Sequence, residues 1–258
     1  MSSFVILIYH MISEPRAESE RRYACPPSRF DQHMAYLRAK DFNLVGLNAI
    51  NDYLKGGKEI PGKTVVITLD DGYADNYEKA FPILLQYRIP ATIFLVSGVM
   101  GNHNAWMEGL GFPRRAMLTW RQVRKMAAAG IAFGGHTITH PCLPEVTVAE
   151  ARREIEGCKK EIEDRLGQAA DHFAYPYGLF GAEVQALTEE AGYTLACSGR
   201  SGFNNRQTDL YALRRLEVFG TDPVWKLSQK LKFGTNVAGA LQPLKYYWNR
   251  ARTRLWYR

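Results

Sequence analysis

The chain has no histidine after His172 and no aspartate or glutamate after Asp222, so any catalytic acid or metal ligand of these types must lie upstream of those positions. Cysteine is scarce as well. Cys25, Cys142, Cys158 and Cys197 stand singly, with no CxxC pair and no short spacing, which argues for idle or buried thiols in a reducing compartment over a disulfide framework. Long apolar runs are also missing. The run at 4–9 lacks the length, basic flank and small-residue cleavage site of a secretion signal, and no other window approaches the roughly 20 apolar residues of a membrane span. The expectation is a protein made and kept in the cytoplasm. With 46% hydrophobic and 23% charged residues and no low-complexity tract, disorder is excluded as the main state.

The missing acids give the charge a direction. The net charge is +7, yet 223–258 holds eight Lys/Arg and no Asp or Glu, which leaves 25 basic against 26 acidic residues in the rest. The body is neutral and the tail carries the excess. Trp225, Phe233, Tyr246, Tyr247, Trp248, Trp256 and Tyr257 are interleaved with these cations. That mixture suits an anionic membrane surface. No nucleic-acid-binding motif accompanies it, so nucleic acid is not expected as a partner. The division expected is a main domain over 1–222 and a basic, aromatic, helical extension over 223–258, placing the protein peripherally at the inner membrane face.

What the chain has in quantity is alternation. Runs at 4–9, 43–46, 64–69, 91–96, 131–134, 172–175, 194–198 and 215–219 read as strands, most of them nearly continuously apolar, as doubly covered parallel strands are. Helical patterns lie between them. Residues 28–39 place Phe30, Met34 and Leu37 on one face behind a Ser28 cap. Residues 147–166 open on the capping-box pattern Thr147-x-x-Glu150 and bury Val148, Ile155, Ile162 and Leu166. Helices at 119–129 and 182–191 are each followed by a glycine, Gly130 and Gly192. Seven or eight such βα steps in 258 residues predict one barrel-like α/β domain, whose catalytic groups gather at the carboxyl ends of the strands. Residues 97–118 have no clean period and are rich in Gly, Asn and aromatics; so long a loop predicts a rim to a substrate groove.

Two strand ends carry the chemistry. Thr64-Val65-Val66-Ile67-Thr68-Leu69 stops at Asp70-Asp71-Gly72, two adjacent carboxylates whose repulsion calls for a cation or a shared proton. The fifth strand ends in Gly134-Gly135-His136-Thr137-Ile138-Thr139-His140. Alone, a His-x-x-x-His is more often a capped turn or a core histidine, and an Asp-Asp-Gly a turn. Together, at the ends of neighbouring strands, they point to a metal: two imidazoles and a carboxylate form a facial set that leaves positions open for water and substrate.

Thr68-Leu69-Asp70-Asp71-Gly72, His136-Thr137-Ile138-Thr139-His140 and Phe173-Ala174-Tyr175-Pro176-Tyr177-Gly178 resemble, in order, the first three motifs of the polysaccharide deacetylases of the NodB-homology type, carbohydrate esterase family 4. The resemblance spans about 4–220 and implies an α/β fold, a distorted (β/α) barrel with 7–8 repeats, and hydrolysis of an acetamido, occasionally an O-acetyl, group on a sugar. It implies Asp71, His136 and His140 as ligands of a divalent metal, usually Zn2+, with Co2+, Ni2+ or Mn2+ also accepted by such a set. It implies Asp70 as the general base and the Tyr177 amide N–H as a donor to the oxyanion. The expected partner is an N-acetylated saccharide of a bacterial surface polysaccharide, in a lipid-linked form if the tail binds membrane.

Two departures from the pattern stand out. Phe173-Ala174 occupies the place of the usual third-motif arginine, and Leu216-Glu217-Val218-Phe219-Gly220 replaces the late motif whose histidine is the general acid. Ile8-Tyr9-His10 resembles the Tyr-His found in the subset similar to poly-N-acetylglucosamine deacetylases, and the first strand of a closed barrel neighbours the last. His10 is therefore the expected acid. Arg215 opens the last strand, where the same subset has an arginine, and is expected to orient Asp70. His103 and His172 are read as structural. The alternatives are a glycan-binding or membrane scaffold protein with impaired catalysis, and a cyclic amide hydrolase of the same fold; retention of Asp70, which serves turnover rather than metal affinity, argues against the former.

Overall fold

The computed structural model describes residues 3–239, 241 and 242. In these residues β1 (Phe4–Tyr9), β2 (Asn43–Leu44), β3 (Thr64–Leu69), β4 (Ala91–Leu95), β5 (Ala132–Gly135), β6 (His172–Ala174), β7 (Leu195–Cys197) and β8 (Leu216–Glu217) make one sheet in the order β7-β6-β5-β4-β3-β1-β8, with β2 paired to β3. Every pairing of these strands is parallel. The helices are α1 (Pro27–Ala39), α2 (Leu47–Leu54), α3 (Phe81–Gln86), α4 (Trp120–Ala128), α5 (Val148–Leu166), α6 (Ala182–Glu190) and α7 (Val224–Phe233).

The first strand does meet the last. β1 pairs with β3 from Phe4↔Thr64 to Tyr9↔Leu69 and with β8 at Leu7↔Leu216 and Ile8↔Glu217. The segment leading into β8 also bridges β7, at Cys197↔Leu213. The sheet thus curls back on itself as a distorted (β/α) barrel. All residues of β1 and β3 are buried, as both faces of a wound sheet must be. Phe4, Ile6, Val66, Phe94 and Leu195 share one cluster with Leu47, Ile50 and Tyr53 of α2. Val5, Leu7, Val65, Ile67 and Leu69 alternate to the other face and pack with Phe30, Met34 and Leu37 of α1. Each such side chain contributes about 1.5–3 kcal/mol when fully buried. α2 meets the lead-in to β7, where the Asn51 amide donates to the Thr194 hydroxyl, and the carboxyl ends remain for the site.

Local chemistry sets the helix ends. Thr119 caps α4 with a full capping box, its hydroxyl accepting from the Gln122 N–H while the Gln122 side chain accepts from the Thr119 N–H. Thr147 caps α5 by accepting from the Glu150 N–H, and Gly167 in the left-handed region ends it. Two expectations fail here. Ser28 does not cap α1, because Pro27 takes the first helical position, where a missing N–H costs nothing. Val148 is 45% exposed, since at the first turn of α5 it precedes the stripe that meets the sheet.

α7 lies inside the segment read as an extension. Leu227 and Leu231 belong to the core cluster that includes α1. Lys230, fully buried, donates to the Asp222 carboxylate and the Glu217 carbonyl, and Lys226 faces Asp222 at 3.9 Å. Two of the tail's cations therefore turn inward. The basic and aromatic residues from Lys245 onward lie outside the described residues. No helix among the described residues is long and apolar enough to cross a membrane. The four cysteines are free thiols.

Candidate active site

The turns that follow β3, β5 and β6 are held in an uncommon conformation. Asp71 (φ 76°), Thr137 (φ 68°), His140 (φ 65°) and Tyr177 (φ 57°) all occupy the left-handed region, at about 1–3 kcal/mol each. Neighbours enforce it. Glu154 of α5, almost fully buried, accepts from the N–H groups of Ile138 and Thr139, both at 2.8 Å, and from the Thr139 hydroxyl at 2.9 Å. The Thr137 hydroxyl oxygen accepts from the His140 N–H at 3.0 Å. At Gly178 (φ 69°) a Cβ would lie 2.4 Å from the Gly199 backbone, so only glycine admits that approach.

The result is a converging donor set. Nε2 of His136 and of His140 lie 3.5 and 3.4 Å from the same oxygen of Asp71. The three residues are buried and their donor atoms fall within 4.8 Å of one another. His136 donates its Nδ1–H to the Ala174 carbonyl at 2.6 Å, which leaves the Nε2 lone pair facing the cluster. Burial alone would push Asp71 up, but its close contacts with the His136 and His140 imidazoles outweigh it and hold the carboxyl well below its usual range. An ionised carboxylate, an imidazole with a fixed tautomer and a second imidazole fit a divalent cation. Two nitrogens and one oxygen do not select which one.

Asp70 points to a different partner. Both its oxygens accept from the Arg215 guanidinium, at 2.7 and 2.8 Å, and Arg215 Nε–H donates to the Ser198 carbonyl at 3.1 Å. Both residues are buried. Burial opposes the charge, but Arg215 and then His136 lower the Asp70 pKa, so the carboxylate stays ionised. Arg215 is therefore placed against Asp70, where an arginine from the third motif was absent.

One cavity of about 490 Å³ is lined by all seven of the residues singled out in the sequence: His10, Asp70, Asp71, His136, His140, Tyr177 and Arg215. His10 follows β1, half-buried, its ring edge-on to Tyr23 at 5.4 Å. Tyr177 meets His140 edge-to-face at 4.7 Å. The loop 97–118 contributes Trp106, stacked on His140 at 4.9 Å and 21°. Glu217, where the late motif would be, lines the cavity paired to Arg22 at 2.7 Å. His103 bonds Glu108 at 2.8 Å and His172 is buried at the start of β6; neither lines the cavity. Sequence reasoning missed Trp106, although it marked its loop. It also missed Glu154 and a buried ion pair, Arg115 with Glu20, which carry no local signal.

A histidine–carboxylate cluster at the carboxyl ends of parallel barrel strands, with a second ionised carboxylate in the same cavity, defines a candidate metallohydrolase. Residues 57–196, over half the chain, match the family model of polysaccharide deacetylases, and the chain belongs to that family. It is 30% identical over 213 residues to the Bacillus subtilis protein YxkH, covering 83% of this chain and 70% of that one. It is 26% identical over 182 residues to poly-beta-1,6-N-acetyl-D-glucosamine N-deacetylases of Staphylococcus aureus, covering 67% of this chain but only 60% of theirs. Among solved structures, IcaB from Ammonifex degensii superposes with a TM-score of 0.74 at 27% identity, covering 84% of this chain and 92% of that one. The Streptococcus pyogenes deacetylase PplD in complex with acetate shares the fold, with a TM-score of 0.77 at 24% identity over 89% of this chain and 98% of that one.

Proposed function

We propose that this protein is a metal-dependent N-deacetylase acting on an N-acetylglucosamine-type saccharide of a bacterial surface polysaccharide or its lipid-linked precursor. The observation that carries the proposal is the division of labour between adjacent aspartates. Asp71 faces two histidines at 3.5 and 3.4 Å, while Asp70, ionised, has both oxygens held by Arg215 and comes no nearer than 4.0 Å to His136 Nε2 in the same cavity. Asp71, His136 and His140 would hold the metal, which supplies Lewis acidity toward the acetyl group and brings the pKa of water to about 7. Asp70 accepts the proton of the attacking water as its oxygen meets the acetyl carbon, and general base action of this kind is worth about 10²–10⁴-fold. The Tyr177 N–H, on a turn fixed by Pro176 and Gly178, donates to the developing oxyanion, a contact worth about 3–4 kcal/mol. His10 gives the leaving amine its proton as the C–N bond breaks, and acetate and a free amino sugar result. Likeness to the Staphylococcus aureus enzymes and to IcaB supports the choice of saccharide.

The experiment is acetate release from a panel of N-acetylated oligosaccharides, after chelation and reloading with single metals, for wild type and Asp70→Asn. Metal-restored acetate release lost in Asp70→Asn supports the proposal; metal bound without acetate from any saccharide rejects it. The proposal extends to the inner membrane face through the basic tail. Since Lys226 and Lys230 are committed to Asp222, that attraction falls to cations further along. Co-sedimentation with anionic liposomes that persists unchanged after deletion of 243–258 rejects this extension.

A further inference from the structure

The loop carrying His10 has little secondary structure of its own. Buried side chains from two other segments hold it. Asn76 donates its amide to the His10 carbonyl at 2.9 Å, and Asp75 accepts from the Ile12 N–H at 3.0 Å. Arg115 donates to the Glu14 carbonyl at 2.9 Å and approaches the Ser13 hydroxyl at 3.4 Å. The Arg115 guanidinium is itself gripped by the Glu20 carboxylate, with Nε–H to Oε1 at 2.8 Å and a second bond from Nη2, both side chains almost wholly buried. Glu20 in turn accepts from the Arg16 N–H and lies three residues before Tyr23, whose ring packs on His10. From the other direction, Arg115 is tied to the aromatic rim. Asn104, next to the turn bearing Trp106, accepts from the Arg115 N–H at 2.7 Å.

We propose that Arg115, anchored by Glu20, is a positioning residue that sets His10 at its working distance from Asp70. The inference rests on the deacetylase reading above and concerns only its proton-donating step. Arg115 touches no reacting atom, so its effect must pass through His10. A general acid matters for an amide, whose amine leaves only when protonated, and hardly at all for 4-nitrophenyl acetate, whose phenolate leaves unaided.

The test compares wild type, Arg115→Lys, His10→Ala and the double variant Arg115→Met/Glu20→Leu, which leaves no unpaired buried charge. Each is assayed on an N-acetylated oligosaccharide and on 4-nitrophenyl acetate, with bound metal measured alongside. The expected result is a fall in the ratio of amide to ester turnover on the order of tenfold for both Arg115 variants, in the direction His10→Ala takes it, through kcat more than KM and with metal content unaltered. A parallel loss on both substrates would show a merely structural pair, and an unchanged ratio would show no role; either overturns the proposal. Should the double variant fail to fold, Arg115→Lys, which keeps the charge but cannot make the two-pronged contact, decides alone. Failure of the deacetylase reading is seen separately, as wild type releasing no acetate from any saccharide.

Discussion

The two sides of the cavity are built differently. The side that carries the proposed base, called the base side, rests on strand ends: Asp70, Asp71 and His136 follow directly on β3 and β5, and Arg215 precedes β8. Their ladder fixes them, and buried partners complete the fixing. The side that carries the proposed acid His10, called the acid side, is a loop after β1, held residue by residue by Asn76, Asp75 and Arg115. A sheet tolerates little movement at its strand ends, whereas a loop pinned by side chains depends on each of them. Substitutions on the base side should therefore abolish function, and those around the acid should grade it.

The comparison breaks first if the base side tolerates damage. Chelation, or His136→Ala, should take bound metal and acetate release to background together, measured by elemental analysis and an acetate assay. Asp70→Asn comes next. It should retain metal and lose about 10²–10⁴-fold in kcat; loss of metal along with activity would place Asp70 among the ligands instead. A smaller effect is expected across the cavity. His10→Ala should lower turnover of an N-acetylated saccharide at least about tenfold with metal unchanged, and near-normal turnover would remove His10 from the reaction.

The same contrast explains what could be read in advance. The residues proposed to hold the metal announce themselves because each motif is local: an apolar strand, then a polar turn, with spacing fixed by the backbone. The barrel is legible for the same reason, through β-branched runs such as Thr64–Leu69. The pairing of Arg215 with Asp70 crosses 145 positions and was reachable only by asking what replaces a missing arginine. Arg115 and Glu20 are 95 positions apart, in segments with no period, where nothing distinguishes a buried guanidinium from a solvated one. Glu154 reads as one more charge on an amphipathic helix, yet it holds the His-x-x-x-His turn. The inward turn of Lys230 was hidden because its partner, Asp222, sits just before the segment that was counted as uniformly basic.

Each side of the cavity also rests on one buried histidine, and this gives an expected effect that leaves activity at neutral pH untouched and shows only as stability in acid. Under the acid side, His33 faces the Tyr9 hydroxyl through Nδ1 at 3.1 Å and the Asp222 carbonyl through Nε2 at 2.9 Å. Under the base side lies His172, whose Nε2 has no partner among the described residues. Burial lowers the pKa of each to about 4, against about 6.5 in an unfolded chain. Between those values the unfolded state binds the extra proton, so stability is fully present above pH 6.5 and drains as pH falls toward 4. Each histidine accounts for about 3 kcal/mol over that window. Urea unfolding at steps from pH 7 to 4.5 should show this fall, and the slope in His172→Phe should be shallower by one proton's worth, about 1.4 kcal/mol per pH unit, since the difference between the two proteins cancels every other titrating group. Equal slopes would mean that His172 is reached by solvent, and that the floor under the base side is looser than the floor under the acid.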